Sequence, residues 1–164
     1  MLRNTFKNAA LATFFASLSL VSNQTLAATA TGTANATVLT PIAITAGQTL
    51  EFGAFTGAAG TVTVSTAGAR SSTGSVVLAP TNGTVRQGTF SVTGSGSSTF
   101  AITYPSAFNI TSGANNMSVT VSGPATGTLS GGSATINVGG TVTVSANQAA
   151  GNYTGTYTMT VEYN

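Results

Sequence analysis

The chain predicts an all-β fold, a single antiparallel Greek-key β-sandwich, immunoglobulin-like in the broad sense. Three observations lead there. Beyond residue 27, apolar residues alternate with Thr and Ser at period two, as in strands with one buried face. Clusters of Gly, Asn and Pro interrupt these runs at close to the spacing of about 8–12 residues expected of a sandwich or barrel. No stretch there repeats apolar residues at i, i+3, i+4 and i+7 over a useful length.

In chain order the alternating runs are Val62 and Val64; Phe90 and Val92; Phe100, Ile102 and Tyr104; Met117, Val119 and Val121; Ile136 and Val138; Val142 and Val144; and Tyr157, Met159, Val161 and Tyr163. Turns are expected at Ala58-Ala59-Gly60, Ala67-Gly68, Pro80 to Gly83, Gly94 to Ser98, Thr111 to Asn116, Gly123-Pro124, Gly131-Gly132 and Gly139-Gly140. Gly and Asn reach the backbone angles that reverse a chain. The near-identical segments 60–65 and 140–145 read as two hairpins meeting one requirement, because their flanks differ.

Arg3 and Lys7 precede an apolar run from Ala9 to Val21, with small residues at Thr25 and Ala27. This predicts a signal peptide over residues 1–27, cleaved after Ala27. The run is shorter than the roughly 20 residues a membrane-spanning helix needs. Residues 28–39 are then an N-terminal extension, and residues 40–164 the sandwich domain. The expected location is the periplasm, the cell surface or the extracellular space.

Downstream of the leader the only charges are Glu51, Arg70, Arg86 and Glu162, which balance. The basic pI of about 9.4 therefore comes from the leader, and nothing favours nucleic acid or an anionic membrane as partner. That region has no His, Cys, Asp, Lys or Trp. Most hydrolytic, transfer and redox mechanisms need a tunable acid or base, an activated nucleophile or a bound metal, so the expectation is a protein that is not an enzyme and has no cofactor or metal. Two carboxylates are too few for a calcium cage without many carbonyls, and as a glycosidase pair they lie on predicted strands with no sign of a cleft. Gly94-Ser95-Gly96 and Gly131-Gly132 lack the Lys and following helix of a phosphate cradle. The Asn-x-Ser/Thr triplets starting at Asn35, Asn82, Asn109, Asn116 and Asn152 are expected by chance in so Thr-rich a chain.

Two segments point to assembly. An outer surface of Thr and Ser is wettable but carries few of the charges that block edge-to-edge pairing. The segment Ala28–Thr37 alternates, with Ala30, Gly32, Ala34, Ala36 and Val38 on one face, and could add as a strand to a neighbour. The last fourteen residues read as one strand running to Asn164, beginning at Gly151, with Tyr153, Tyr157, Met159, Val161 and Tyr163 on one face. Aromatic residues Tyr104, Phe108, Tyr153 and Tyr157 are candidates for a sugar platform, but their period-two setting favours core packing.

A Gly fourteenth from the end and a penultimate Tyr resemble the C-terminal strand of subunits assembled by the chaperone–usher route, where a periplasmic chaperone reads it. Together with Thr40-Pro41-Ile42-Ala43-Ile44, Leu50-Glu51-Phe52-Gly53, Val138-Gly139-Gly140-Thr141 and Ala146-Asn147-Gln148-Ala149-Ala150-Gly151, the mature chain resembles a bacterial family of exported domains of unknown function. That family is similar in turn to spore coat protein U-like and archaic chaperone–usher pilin domains. The pilin resemblance implies an incomplete sandwich filled by a strand from the next identical subunit. Two features depart from pilins: the donor face is small, where each missing methylene forfeits about 0.8 kcal/mol, and there is no disulfide. The expected function is a structural surface subunit assembling by strand addition, and the alternative is a self-complete carbohydrate-binding or adhesion module.

Overall fold

A computed structural model describes residues 26–164; the predicted leader, except its last two residues, lies outside them. The chain divides into two units, residues 1–36 and residues 37–164. In the first, residues 26–36 have no regular secondary structure and every side chain is exposed. The second carries twelve strands: β1 (Ala43–Ala46), β2 (Glu51–Phe52), β3 (Gly60–Val64), β4 (Arg70–Gly74), β5 (Val85–Arg86), β6 (Gly88–Thr93), β7 (Thr99–Thr103), β8 (Phe108–Ser112), β9 (Asn115–Ser122), β10 (Thr126–Thr128), β11 (Ser133–Val144) and β12 (Thr160–Tyr163). All named pairings are antiparallel, and the fold is an all-β sandwich as expected. Among the described residues no helix is long and apolar enough to cross a membrane.

β11 organises the domain. Its first half, Ser133–Val138, pairs with β6, which also pairs with β1. Its second half pairs with β3 through Gly140–Val144 and with β9 through Gly139–Val142. Because Thr141 has both Thr63 and Thr120 as partners, β3 and β9 occupy opposite edges of β11, and with β4 and β8 they make the order β4-β3-β11-β9-β8. A separate three-stranded sheet runs β10-β7-β12, and β2 pairs with β5. The successive strands β6 and β7 thus lie in different sheets, as in Greek-key connections.

The core has two parts. Val92, Ile136 and Val138 from one sheet meet Phe100, Ile102 and Val161 from the other, together with Leu129 and Met159 that flank its strands, with Tyr157 and Tyr163 against them. The inner face of the five-stranded sheet supplies Val62, Val142, Val144, Met117 and Val119, covered by Val76 and the half-buried Phe52, Phe55 and Leu78. The opposite face of that sheet carries Thr61, Thr63, Thr73, Thr120, Thr141 and Thr143, with hydroxyl pairs Thr61–Thr73 at 2.7 Å and Thr63–Thr141 at 2.9 Å. β-branched residues suit both faces of such a sheet.

The predicted turn at Gly139-Gly140 is corrected: β11 passes straight through it, and the period-two series Ile136, Val138, Gly140, Val142, Val144 is unbroken and buried. Neither glycine has a positive φ. A Cβ at Gly139 would overlap the Val64 carbonyl oxygen, and one at Gly140 would lie 2.9 Å from Leu50 and 3.0 Å from the Thr120 carbonyl oxygen. These glycines allow close main-chain approach. Gly131 and Gly132, at φ 59° and 83°, do reverse the chain before β11 as predicted. The predicted turn at Thr111 to Asn116 narrows to Gly113-Ala114 between β8 and β9.

The predicted C-terminal strand is also corrected. Only Thr160–Tyr163 forms β12, paired with Thr103 to Phe100 of β7, and upstream of it Thr154 makes a single bridge to Thr111. The face assignment stands: Met159 and Val161 are buried, and Tyr153, Tyr157 and Tyr163 half-buried. Tyr163 joins distant parts of the domain, its hydroxyl donating to the Thr40 carbonyl at 2.8 Å and accepting from the Ser95 N–H at 2.6 Å.

Candidate functional site

A groove of about 920 Å³ opens on the second core, at the upper end of the range for ligand pockets. One wall is the stretch Thr49–Gly57, the other is Gln148–Gly155 with Tyr157, and Phe108, Ile110 and Met117 complete the apolar lining.

The first wall is held by Arg70. Its guanidinium donates to the carbonyls of Phe52 at 3.0 Å, Ala54 at 3.2 Å and Ala79 at 2.9 Å. A planar cation with several donors in a fixed fork suits such a task. Main-chain bonds from Ala54 N–H to Asn82 O, Thr56 N–H to Val77 O and Ala79 N–H to Ala54 O tie this wall to the chain after β4. Beside it Glu51 and Arg86, cross-strand partners on β2 and β5, form a 2.7 Å ion pair with side chains 33% and 41% exposed. At that exposure such a pair is worth about 0–1 kcal/mol.

The second wall begins as β11 ends. Asn147 turns the chain at φ 59°, and Gln148 reaches both walls: its N–H donates to the Gly57 carbonyl at 3.1 Å, and its Nε2 donates to the Tyr153 hydroxyl at 2.9 Å and the Asn116 carbonyl at 3.2 Å. Tyr153 in turn donates to the Ala149 carbonyl at 2.7 Å. Further along, the bridge at Thr154 carries bonds to Thr111 in both directions. Beyond it, the main chain of residues 155–159 has no strand partner among the described residues.

The aromatic candidates separate by position. Tyr157 stacks on Phe108 with centroids 5.1 Å apart and makes a T-shaped pair with Phe90 at 5.8 Å. Tyr153 packs on the second core, and Tyr104 on the first, where its hydroxyl donates to the Pro124 carbonyl. Burial pushes the Tyr157 phenol above its ordinary pKa, with a smaller upward push from Tyr104, and burial likewise raises Tyr104. Three of the four rings, Phe108, Tyr153 and Tyr157, therefore serve the core and line the groove at once.

Of the residues singled out in the sequence, the structure brings Gly151, Tyr153 and Tyr157 to the groove and leaves Met159, Val161 and Tyr163 in the first core. Ala30, Gly32, Ala34 and Ala36 are exposed and unpaired in the N-terminal unit, and Val38 is 94% exposed. The wall at Phe52–Gly57 and the roles of Gln148 and Arg70 were not anticipated. The one available signal was the apolar pair Phe52 and Phe55 beside Gly53 and Gly57. Among the described residues no group of three or more His, Cys, Asp or Glu is placed to hold a metal ion.

An antiparallel β-sandwich whose second core opens into an apolar groove is the class that this geometry defines. The chain belongs to the DUF4402 family, a domain of unknown function, whose model matches residues 42–163. No curated protein and no solved structure matches it.

Proposed function

We propose that this protein is an exported, non-enzymatic structural subunit that assembles by β-strand addition, with residues 28–38 of one copy entering the groove of the next. The observation that carries the reading is the groove itself: an open apolar channel, one wall of which continues into residues 155–159 with main-chain groups that no strand pairs. Such a stretch is a template for another strand. An incoming strand would satisfy those groups by main-chain hydrogen bonds and set alternate side chains against Phe108, Ile110 and Met117.

The donor is a segment of the same chain. Ala30, Gly32, Ala34, Ala36 and Val38 form its apolar face, and residues 28–38 lack any strand partner among the described residues. Extended at about 3.3 Å per residue, eleven residues from 28 to 38 reach roughly 36 Å, ample for a groove of this kind. The resemblance of the sequence to spore coat protein U-like and archaic chaperone–usher pilin domains supports the same reading, with a periplasmic chaperone covering the groove or the edge from Gly151 through Tyr153, Tyr157, Met159 and Val161 to Tyr163 before assembly. On this reading the protein is a pilin-like component of a cell-surface fimbrium.

The test is an unboiled denaturing gel of the exported protein. Strand-exchanged polymers give a ladder that collapses to monomer on boiling and disappears when residues 28–38 are deleted. A monomer band alone before boiling refutes the reading. A second reading, a carbohydrate-binding or adhesion module, draws on one observation: Phe52, Phe55, Phe108, Tyr153 and Tyr157 line the groove with Thr49, Thr56 and Asn152, rings and polar groups that suit a sugar's two faces. Sugar binding that survives deletion of residues 28–38 would favour it.

A further inference from the structure

Strand addition leaves open which residue of the donor meets which part of the groove, and the following rests on that reading. We propose that Gln148 is the end-stop that fixes the register of the incoming strand. The two walls run as separate segments along the groove, but at Gln148 they are tied. The Gln148 N–H donates to Gly57 on the opposite wall at 3.1 Å. A Cβ at Gly57 would overlap the Gln148 carbonyl oxygen, so the two backbones are in direct contact there.

The side chain reinforces the closure. Gln148 Nε2 donates to both the Asn116 carbonyl and the Tyr153 hydroxyl, and that hydroxyl spends its own proton on Ala149. Asn147, the one non-glycine residue at positive φ among the described residues, sets the turn that aims Gln148 inward. An added strand lying between the walls can extend as far as this knot and no farther.

Register needs such a device here. A slip of one residue would turn the Thr face of the donor into the apolar floor and is excluded by patterning. A slip of two residues keeps the same face inward, and along most of that face the small residues Ala30, Gly32, Ala34 and Ala36 differ too little in shape to select one position by packing, leaving Val38 at one end as the single larger side chain. Discrimination then falls to the closed end of the groove, which makes Gln148 a specificity-determining residue.

The chain has no cysteine, so single introduced thiols report register without background. We would place Asn152→Cys in the groove of protein lacking residues 28–38. It would be offered peptides of residues 28–39 carrying Ala30→Cys, Gly32→Cys, Ala34→Cys, Ala36→Cys or Val38→Cys, and disulfide yields compared. The expected result is one peptide dominating its neighbours by about tenfold, with the preference falling to about twofold or less once Gln148→Ala is added. A thermal melt reports whether Gln148→Ala is folded, and Tyr153→Phe, which removes only the hydroxyl gripped by Gln148, replaces it if it is not.

Equal yields from several peptides in the Gln148 protein would overturn the end-stop and leave strand addition standing. So would a single dominant peptide that persists in the folded variant. No disulfide with any peptide would overturn strand addition itself, and the end-stop with it.

Discussion

Replacing Gly139 by Asn separates the two meanings that a Gly-Gly pair can have. In a turn with positive φ, Asn is the best tolerated replacement after Gly. Gly139 instead lies inside β11, buried, without positive φ. A Cβ there would overlap the Val64 carbonyl oxygen and sit 2.9 Å from both the Ser65 carbonyl carbon and the Thr66 nitrogen, all of them main chain. Neither strand can yield by rotating a side chain, so β3 must move. Overpacking of this kind costs about 1–3 kcal/mol, and a buried amide without an assured partner adds about 1–3 kcal/mol. Relief of glycine's backbone entropy returns about 0.5–1 kcal/mol. The net expectation for Gly139→Asn is a loss of about 1–5 kcal/mol. At about 3–5 °C per kcal/mol for a domain of this size, Tm falls by roughly 3–25 °C. The control is Gly131→Asn, at φ 59° with open space around it, where a change within about 0.5 kcal/mol is expected. Thermal and urea unfolding followed by circular dichroism measure both. Equal tolerance at the two positions would refute the passage of β11 through Gly139.

Two further outcomes follow from the groove. Arg70→Lys keeps the charge but cannot span the carbonyls of Phe52, Ala54 and Ala79, and should cost about 2 kcal/mol in urea unfolding; an unchanged midpoint would mean that the wall does not depend on the guanidinium. Tyr104 and Tyr157 have folded-state pKa values raised above 10.0 by burial, so the neutral phenols favour the native state. Their contribution is complete below pH 10.0, where the unfolded chain also keeps its protons, and is lost as pH rises through the folded values. Urea midpoints should hold below that pH and fall above it, and a midpoint that rises there would contradict the assignment.

The strands legible in the sequence are those with one face in a core. Val62 and Val64, Phe90 and Val92, Phe100 and Ile102, and Met117 and Val119 alternate because one side of each strand meets apolar neighbours. β4 was invisible for the converse reason: Arg70-Ser-Ser-Thr-Gly74 has no apolar residue, and it is placed as an edge strand by pairing with β3 alone. β2 and β5, two residues each, are too short to show any period. Gly139-Gly140 misled because composition cannot distinguish a glycine needed for φ from one needed for room. The groove was half legible. Tyr153 and Tyr157 stood out on their alternating face, while the opposite wall depends on Arg70 reaching carbonyls up to eighteen positions away, which no local pattern records.

The Tyr163 hydroxyl has a mechanical meaning. β1 is a four-residue edge strand held by β6, and an edge strand pulled from one end unzips one bond at a time. Tension arriving along the chain at Thr40, however, first meets the bond to Tyr163, and through that ring loads Ser95 and the β12–β7 ladder. The pull is shared between both sheets before the first β1 bond is stressed. A single phenolic oxygen thus sets whether force at this corner peels the domain open or is spread across it.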